Sequence, residues 1–304
     1  MDALSTVLAA TGLKSVVYNK LLLAAPWGLD IIKDDNSQFY RLVSGSCTIG
    51  SPDGRIIQMV DSDLVFVPHG SAHWIAASAT SSRIPSVEFL KARRSGSPVF
   101  DSDGEKTVLI AGHFEFNYQS LHPFLKDLPA IIHIRQYVSA NQLLLKQVTQ
   151  LMLEELNYEG PGSSLMLKCL SEIMFVNIIR AYLEQDAPET GFFSALNDPR
   201  ISKALKLIQD LPQNDWTLES LATEIGMSRS VFFNQFKKIM NETPLSYLTN
   251  WRMRQAQKLL MTDNSTIATI AINVGYRSEA AFNRIFKSKM GQTPAVYRRD
   301  KFSK

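Results

Sequence analysis

Cysteine is scarce: Cys47 and Cys169 are the only two in 304 residues. Two thiols can build neither a multi-disulfide framework nor a four-cysteine metal site, and their scarcity fits a reducing compartment. Also missing is any uncharged apolar run of the ~18–20 residues that a membrane-spanning helix requires. The start, Met1-Asp2, has no basic stretch ahead of an apolar one. Neither a membrane span nor a secretory signal is expected, and a cytoplasmic location is. No Ser-His-Asp spacing, phosphate-binding glycine loop or paired carboxylates stand out, so catalytic residues are not expected, nor is a cofactor. Glycine (15) and proline (13) are not enriched, and 45% of the residues are apolar. Real cores can therefore form, and low-complexity disorder is excluded.

What the chain does have is an uneven charge. The net charge of +3 hides a split. Residues 198–304 carry 17 Lys+Arg against 9 Asp+Glu, a net of +8; residues 1–197 carry 15 against 20, a net of −5. A basic part joined to an acidic one suggests that the basic part meets a polyanion. The length, roughly twice that of a usual domain, suggests two domains.

Residues from about 36 to 118 read as short strands, at 39–49, 55–60, 64–67, 74–77, 87–90 and 108–116. Pro52-Asp53-Gly54 marks a hairpin turn between the first two. Such spacing suggests an all-β sandwich or barrel. The period then changes. A helix is expected over 134–156, with Val138, Leu144, Val148, Leu151 and Leu156 apolar, and a second over 164–185. The second carries apolar residues around most of its girth, including Leu170, Ile173, Phe175, Ile178 and Ile179, and needs burial on more than one side. Packing on the β-domain and a dimer interface both meet that need. Pro188, Gly191 and Pro199 mark a linker.

The C-terminal part repeats itself at fifty positions. Phe236-Lys237, Met240, Thr243-Pro244 and Tyr247 recur as Phe286-Lys287, Met290, Thr293-Pro294 and Tyr297, six identities in twelve positions. Upstream, Leu221-Ala222 and Gly226 match Ile270-Ala271 and Gly275 at forty-nine, which leaves one extra residue in the second turn. Each copy has the physics of a helix-turn-helix. A first helix (218–225; 267–274) carries a small alanine where the next helix crosses. Gly226 or Gly275 then supplies a tight turn with φ > 0. Ser228 or Ser278 offers an N-cap hydroxyl. Phenylalanines at i and i+4 (Phe232/Phe236; Phe282/Phe286) mark the buried face of the second helix. Asn241 stands at the first helix end, where asparagine tolerates the left-handed conformation.

At ~100° per residue, the opposite face holds Ser230, Asn234 and Lys237 in the first copy, with Phe233 at the flank. In the second it holds Ala280, Arg284 and Lys287, with Asn283 at the flank. Such faces suit a helix lying in the major groove of DNA. A helix over 245–261, basic through Arg252, Arg254 and Lys258, would fix the two copies relative to each other.

The segments WTLESLATEIGMSRSVFFNQFKK, TPLSYLTNWRMRQAQKLL and IATIAINVGYRSEAAFNRIFKSKMGQTPAVYRR closely resemble the AraC/XylS family of bacterial transcription regulators, over about residues 198–302. The resemblance implies sequence-specific binding of double-stranded DNA, with Ser230, Phe233, Asn234, Glu279, Ala280, Asn283 and Arg284 near bases. RNA polymerase is a further partner to consider. The N-terminal half resembles the cupin-type sensor domain of one branch of that family, on Ala25-Pro26-Trp27-Gly28, Asp63, Pro68-His69-Gly70, His73-Trp74 and Leu128-Pro129. That implies a small β-barrel followed by dimerising helices, and a small-molecule effector. Metal-binding cupins carry an earlier His-x-His motif, and 40–49 holds no histidine. Ala111-Gly112 stands where Cys-Gly is frequent, which weakens any thiol-sensing role.

Trp27, Tyr40, His73 and Trp74 are candidates for an effector pocket, although core packing explains aromatics equally well. His69, His73 and His113 are the candidates for a metal; Zn²⁺ needs three or four ligands, and no metal site is assigned. Cys47 reads as a small packed residue. The expectation is an α+β protein: a cupin-like β-barrel with C-terminal helices (1–186), a linker (187–198), and an all-α domain with two helix-turn-helix units (199–304). The function expected is a homodimeric DNA-binding transcription regulator. The alternative is a cupin-type metalloenzyme fused to a DNA-targeting module.

Overall fold

The computed structural model describes residues 2–10, 13–116, 123–135, 140–158, 160–186 and 188–301. Val138, expected in a helix, lies outside them. Two compact units emerge. One comprises residues 13–116 and 128–187, and the other residues 1–12, 117–127 and 188–304.

The first unit is built on ten strands: β1 (Lys14–Ala24), β2 (Gly28–Ile31), β3 (Ser37–Ser44), β4 (Cys47–Gly50), β5 (Ile56–Met59), β6 (Leu64–Val67), β7 (His73–Ala76), β8 (Ile84–Pro85), β9 (Lys106–Glu115) and β10 (Ile132–Ile134). They form two five-stranded sheets, ordered β1-β9-β3-β6-β10 and β5-β4-β7-β2-β8. The stretch expected as one strand over 39–49 is broken at Gly45, whose φ of +95° turns the chain between sheets. Its halves, β3 and β4, lie one in each. Residues 87–90, expected as a strand, instead lie within helix α2 (Ser86–Arg94). Val87-Glu88-Phe89-Leu90, three apolar residues around one charge, is short enough to read as either, and here it is helical, with Phe89 alone buried.

Strand β3 is buried on both sides for six residues. Its alternation sends Tyr40 and Leu42 into the core between the sheets and Phe39 and Arg41 the other way. On that far side lies a helical pair, α3 (Ala140–Tyr158) and α4 (Ser163–Gln185). Phe175 of α4 is fully buried, with its ring centroid 5.0 Å from Phe114 and 5.9 Å from Phe66. Burying one such side chain stabilises the docking by ~1.5–3 kcal/mol. Arg41 Nε donates to Thr149 Oγ1 of α3 at 3.1 Å. Leu170, Met174, Phe175, Ile178 and Ile179 are buried within this single chain, whereas Ile173 stays half exposed at 48%.

The second unit is helical: α1 (Ala3–Ala10), a single 3₁₀ turn (Pro123–Leu125), α5 (Phe192–Asn197), α6 (Pro199–Asp210), α7 (Leu218–Glu224), α8 (Arg229–Met240), α9 (Pro244–Thr262), α10 (Ile267–Asn273), α11 (Glu279–Met290) and α12 (Pro294–Lys301). The linker expected at 187–198 is corrected here, because half of it, Phe192–Asn197, is α5. Phe192 and Phe193 are fully buried and meet Phe124 at 6.2 and 5.6 Å between centroids. The Phe192 backbone N–H donates to Asp127 Oδ2 at 3.0 Å, and burial raises the Asp127 carboxyl above the usual range. Gly191, with φ +90°, leaves no room for a Cβ beside that carboxylate. The flanking Pro and Gly residues thus bound a packed element rather than a flexible one.

Candidate functional site

The two copies of the repeat build the same small core twice. In the first, Leu221 and Ala222 of α7 and Phe232 and Phe236 of α8 are buried. In the second, Ile270, Ala271, Phe282 and Phe286 are. The paired phenylalanine rings stand 5.7 and 5.6 Å apart. Each pair is closed by a tyrosine of the following helix, Tyr247 at 6.0 Å from Phe236 and Tyr297 at 5.5 Å from Phe286. Each tyrosine hydroxyl accepts from a buried glutamine, Gln209 Nε2 at 2.8 Å and Gln257 Nε2 at 3.1 Å.

The turns behave as their residues require. Gly226 and Gly275 take φ of +68° and +91°. At Gly275 any side chain would also strike the Arg252 guanidinium and the Pro212 carbonyl. Ser228 Oγ and Ser278 Oγ accept from the N–H groups of Val231 and Ala281, both at 3.4 Å. Asn241 (φ +55°) and Gly291 (φ +77°) end α8 and α11 in the left-handed conformation.

With the phenylalanines locked inward, the opposite faces are outward. Ser230, Asn234 and Lys237 are exposed, and Phe233 is half-buried, with Lys237 Nζ 5.9 Å from its ring centroid. In α11, Glu279, Ala280, Arg284 and Lys287 are exposed and Asn283 is half-buried. Among the described residues, Asn283 Oδ1 has no hydrogen-bond partner. Each helix therefore presents donors, acceptors and cations with two turns of free surface, the chemistry that base edges and phosphates demand.

Helix α9 joins the copies, and Arg252 on it reaches both. Its Nε donates to Pro212 O at 2.7 Å and its NH2 to Asn214 O at 2.8 Å, in the loop ahead of α7. The same guanidinium lies 5.5 Å from the ring centroid of Tyr276, in the second copy's turn. An ion pair between Arg277 and Asp215 spans the same gap. Sequence reasoning marked Arg252 only as basic; the signal that it is a strut lies in tertiary contacts.

The candidates in the β-unit separate. A cavity of about 380 Å³ lies between β1, β2, β3 and α2, and Tyr40 lines it. Trp27, Trp74 and His73 do not. Trp27 is fully buried, with Nε1 donating to Thr107 Oγ1 at 3.3 Å. Trp74 covers Gly50 and carries Arg83 over its ring at 4.7 Å. The expectation that these two tryptophans line a pocket is thus corrected, since each already packs elsewhere. His73 stands behind Tyr40, its Nε2 2.8 Å from the Tyr40 hydroxyl and its Nδ1 2.7 Å from Ser71 O. Residues missed in the sequence, Leu21, Leu29, Gln38 and Phe89 among them, make the cavity wall.

The three histidines do not fit a shared metal. His69 Nε2 meets Leu128 O at 2.9 Å, His113 Nε2 meets Glu115 Oε1 at 3.1 Å, and His73 is engaged as above. Among the described residues no cluster of three His, Cys, Asp or Glu side chains could hold a metal ion. Cys47 Sγ packs on Met59 Sδ at 3.8 Å, and burial pushes its thiol pKa up to about 12. No helix among the described residues is long and apolar enough to cross a membrane.

These features agree with comparisons to known proteins. Residues 2–184 match the cupin family model, and residues 221–300 match a helix-turn-helix domain model. The chain is 31% identical to the HTH-type transcriptional regulator AlkR of Acinetobacter baylyi, over 98% of this chain and 99% of that one. It is 25% identical to the RCS-specific HTH-type transcriptional activator RclR of Escherichia coli, over 98% and 97%. Among solved structures it is similar to the DNA-binding domain of AdpA in complex with a target DNA, with 30% identity over 35% of this chain and 95% of that one, at a TM-score of 0.33. With its cupin N-terminal region and its doubled helix-turn-helix, the chain belongs to the AraC-type family of DNA-binding transcription regulators.

Proposed function

We propose that α8 and α11 enter successive major grooves on one face of DNA. Ser230, Phe233, Asn234 and Lys237 act from the first helix, and Glu279, Ala280, Asn283, Arg284 and Lys287 from the second. The observation that carries this reading is the duplicated geometry: twice, a pair of buried phenylalanines turns a polar, basic face outward. Major grooves on one face of B-DNA recur every ~34 Å, and Arg252, bonded to Pro212 O and Asn214 O and lying beside Tyr276, ties the two units to one another. Lysines in the last turns, Lys237, Lys238, Lys287 and Lys289, supply phosphate contacts, so affinity falls steeply with salt.

Arg284 is the sharpest test. Arginine pairs bidentately with guanine O6 and N7, a contact worth ~1–3 kcal/mol of discrimination. Selection of bound sites from randomised duplexes should show that Arg284→Ala weakens specific binding by roughly 5- to 150-fold and relaxes one position. Lys289 stands roughly 140° round the helix from it, and Lys289→Ala should leave base preference intact. A uniform loss for Arg284→Ala, with the preference unchanged, would make Arg284 a phosphate clamp and overturn the assigned face.

The same reading makes the protein a homodimer through α3 and α4. Leu144, Leu151 and Tyr158 follow one another at seven-residue spacing on α3 and are 41–65% exposed. Leu165, Met166 and Ile173 add to this on α4, at 48–64%. The β-unit serves as a sensor whose bound effector alters how the dimer meets DNA and RNA polymerase in the cytoplasm.

A further inference from the structure

The cavity between β1, β2, β3 and α2 has a wall of one chemistry and an end of another. Leu21, Leu29, Ile31, Phe89, Leu90 and Ala111 make the wall, and none of them offers a hydrogen bond from its side chain. Gln38 and Tyr40 make the polar end, and both are buried, at 6% and 8% exposure, while Ser86, half-buried, adds a hydroxyl at the first residue of α2. The two charged lining residues, Lys33 and Asp34, are adjacent, exposed and of opposite sign, so they offer the interior no net charge. Ile32 and Val87 also line the space while remaining 67% and 48% exposed. They mark an apolar mouth beside the start of α2.

The polar end has a direction. His73 Nδ1 faces the Ser71 carbonyl at 2.7 Å, and a carbonyl only accepts, so Nδ1 holds the proton. A buried imidazole stays neutral, which leaves Nε2 bare to accept from the Tyr40 hydroxyl at 2.8 Å. That hydroxyl has then spent its only proton. Gln38 Oε1 stands 2.9 Å from the same hydroxyl, which has no second proton to give it, so the amide, whose two ends are interchangeable by a flip, is turned to meet the hydroxyl with N–H. Gln38 Oε1 is then left for the cavity, as an acceptor seeking a donor.

We propose that this cavity binds a small, uncharged, mainly apolar molecule of one or two rings, or the equivalent branched chain, whose single hydroxyl or N–H donates to Gln38. This rests on the reading of the β-unit as a sensor and adds the chemical class of what it senses. A volume of about 380 Å³ is at the small end of the ~300–1,000 Å³ of small-molecule sites. Sugars and phosphates are rejected because they would strand several polar groups against leucine and phenylalanine.

Three probes of one shape test this on the full chain: 2-naphthol, naphthalene and 2-naphthalenesulfonate, by calorimetry and by thermal shift. The naphthol should bind and raise the melting temperature. Naphthalene should bind about threefold to tenfold more weakly, the worth of one hydrogen bond, and the anion should not bind. Ala111→Leu, which fills the cavity, should abolish binding of both neutral probes. Gln38→Leu should equalise them. Melting curves of each variant without probe establish that it is folded. Absence of binding by either neutral probe, equal binding of the anion, or a naphthol preference that survives Gln38→Leu would overturn the proposal. DNA affinity measured with and without bound naphthol separates this from the sensor reading. Binding that leaves DNA affinity unchanged keeps the cavity assignment and removes the regulatory one.

Discussion

Arg252 lies with its guanidinium carbon 5.5 Å from the ring centroid of Tyr276, a residue of the second helix-turn-helix, although the two carbonyls it bonds, Pro212 O and Asn214 O, precede the first. One side chain thus fixes both units to α9. Arg252→Ala should strand those carbonyls and cost ~1–3 kcal/mol of stability. The larger effect should fall on affinity for a site that both helices read, while affinity for a half-site holding only one is spared. Equal losses on full and half sites, measured by titration of labelled duplexes, would show that Arg252 is not the strut.

Much of the helical unit was legible because its chemistry is local and occurs twice. Gly226 and Gly275, Ser228 and Ser278, and the phenylalanine pairs each fix a turn, a cap or a face within a few residues. The expected 74–77 and 108–116 strands correspond closely to β7 and β9. What failed did so where distant contacts decide. Residues 87–90 are too short a run to have a period, and α5 sits among breakers that usually mark loops. The cavity could not be read because Leu21, Gln38, Phe89 and Ala111 come from four separate segments that only the fold brings together. Trp27 and Trp74 looked like pocket residues because composition does not tell an inward aromatic from a lining one.

The packing of α5 predicts a coupled pair. Phe124 and Phe193 meet edge to face at 5.6 Å and 87°, and both are fully buried. Either alanine substitution should destabilise the helical unit by ~3–5 kcal/mol. The double variant should lose less than the sum, by ~0.5–1.5 kcal/mol for the ring contact itself. Urea unfolding of the four proteins gives the cycle, and strict additivity would place the two rings in separate environments.

The exposed stripe on α3 and α4 predicts that charge will split a dimer. Leu151→Glu with Ile173→Glu alters two residues 49% and 48% exposed, so folding should survive. Light scattering at micromolar concentration should change from dimer to monomer mass. A wild-type monomer, or a variant that stays dimeric, would remove this surface from the assembly.

The thiols differ in a way reagents can read. Cys47 is 1% exposed, and burial together with the nearby Asp63 charge holds its pKa at about 12, so almost no thiolate exists at pH 8. Cys169 is exposed on α4. A thiol reagent should therefore label at most one cysteine in the native protein and two after denaturation, and Cys169→Ser should remove the native signal. Native labelling that persists in Cys169→Ser would mean that Cys47 is reachable.

His73 predicts how the β-unit responds to acid. Its ring is buried, bonded at both nitrogens, and edge-on to Tyr40 at 5.4 Å between centroids. Burial, the leading cause, pulls its pKa below the ordinary 6.5, and the Ser71 carbonyl opposes this more weakly. Below that value the unfolded chain binds a proton more readily than the folded one does, so stability rises with pH. The contribution is complete above about pH 6.5 and is lost as pH falls through the folded-state value. His73→Gln cannot take up that proton. Its stability deficit relative to the wild type should therefore be larger at pH 7.5 than at pH 5.5, in urea titrations at the two values. Protonation would also force Nε2 to donate, turning the Tyr40 hydroxyl and the Gln38 amide about, so 2-naphthol should bind less well on the acid side. A stability gap independent of pH, with an NMR titration of His73 centred at or above 6.5, would show that the ring is solvated and that the chain from His73 to the cavity does not operate.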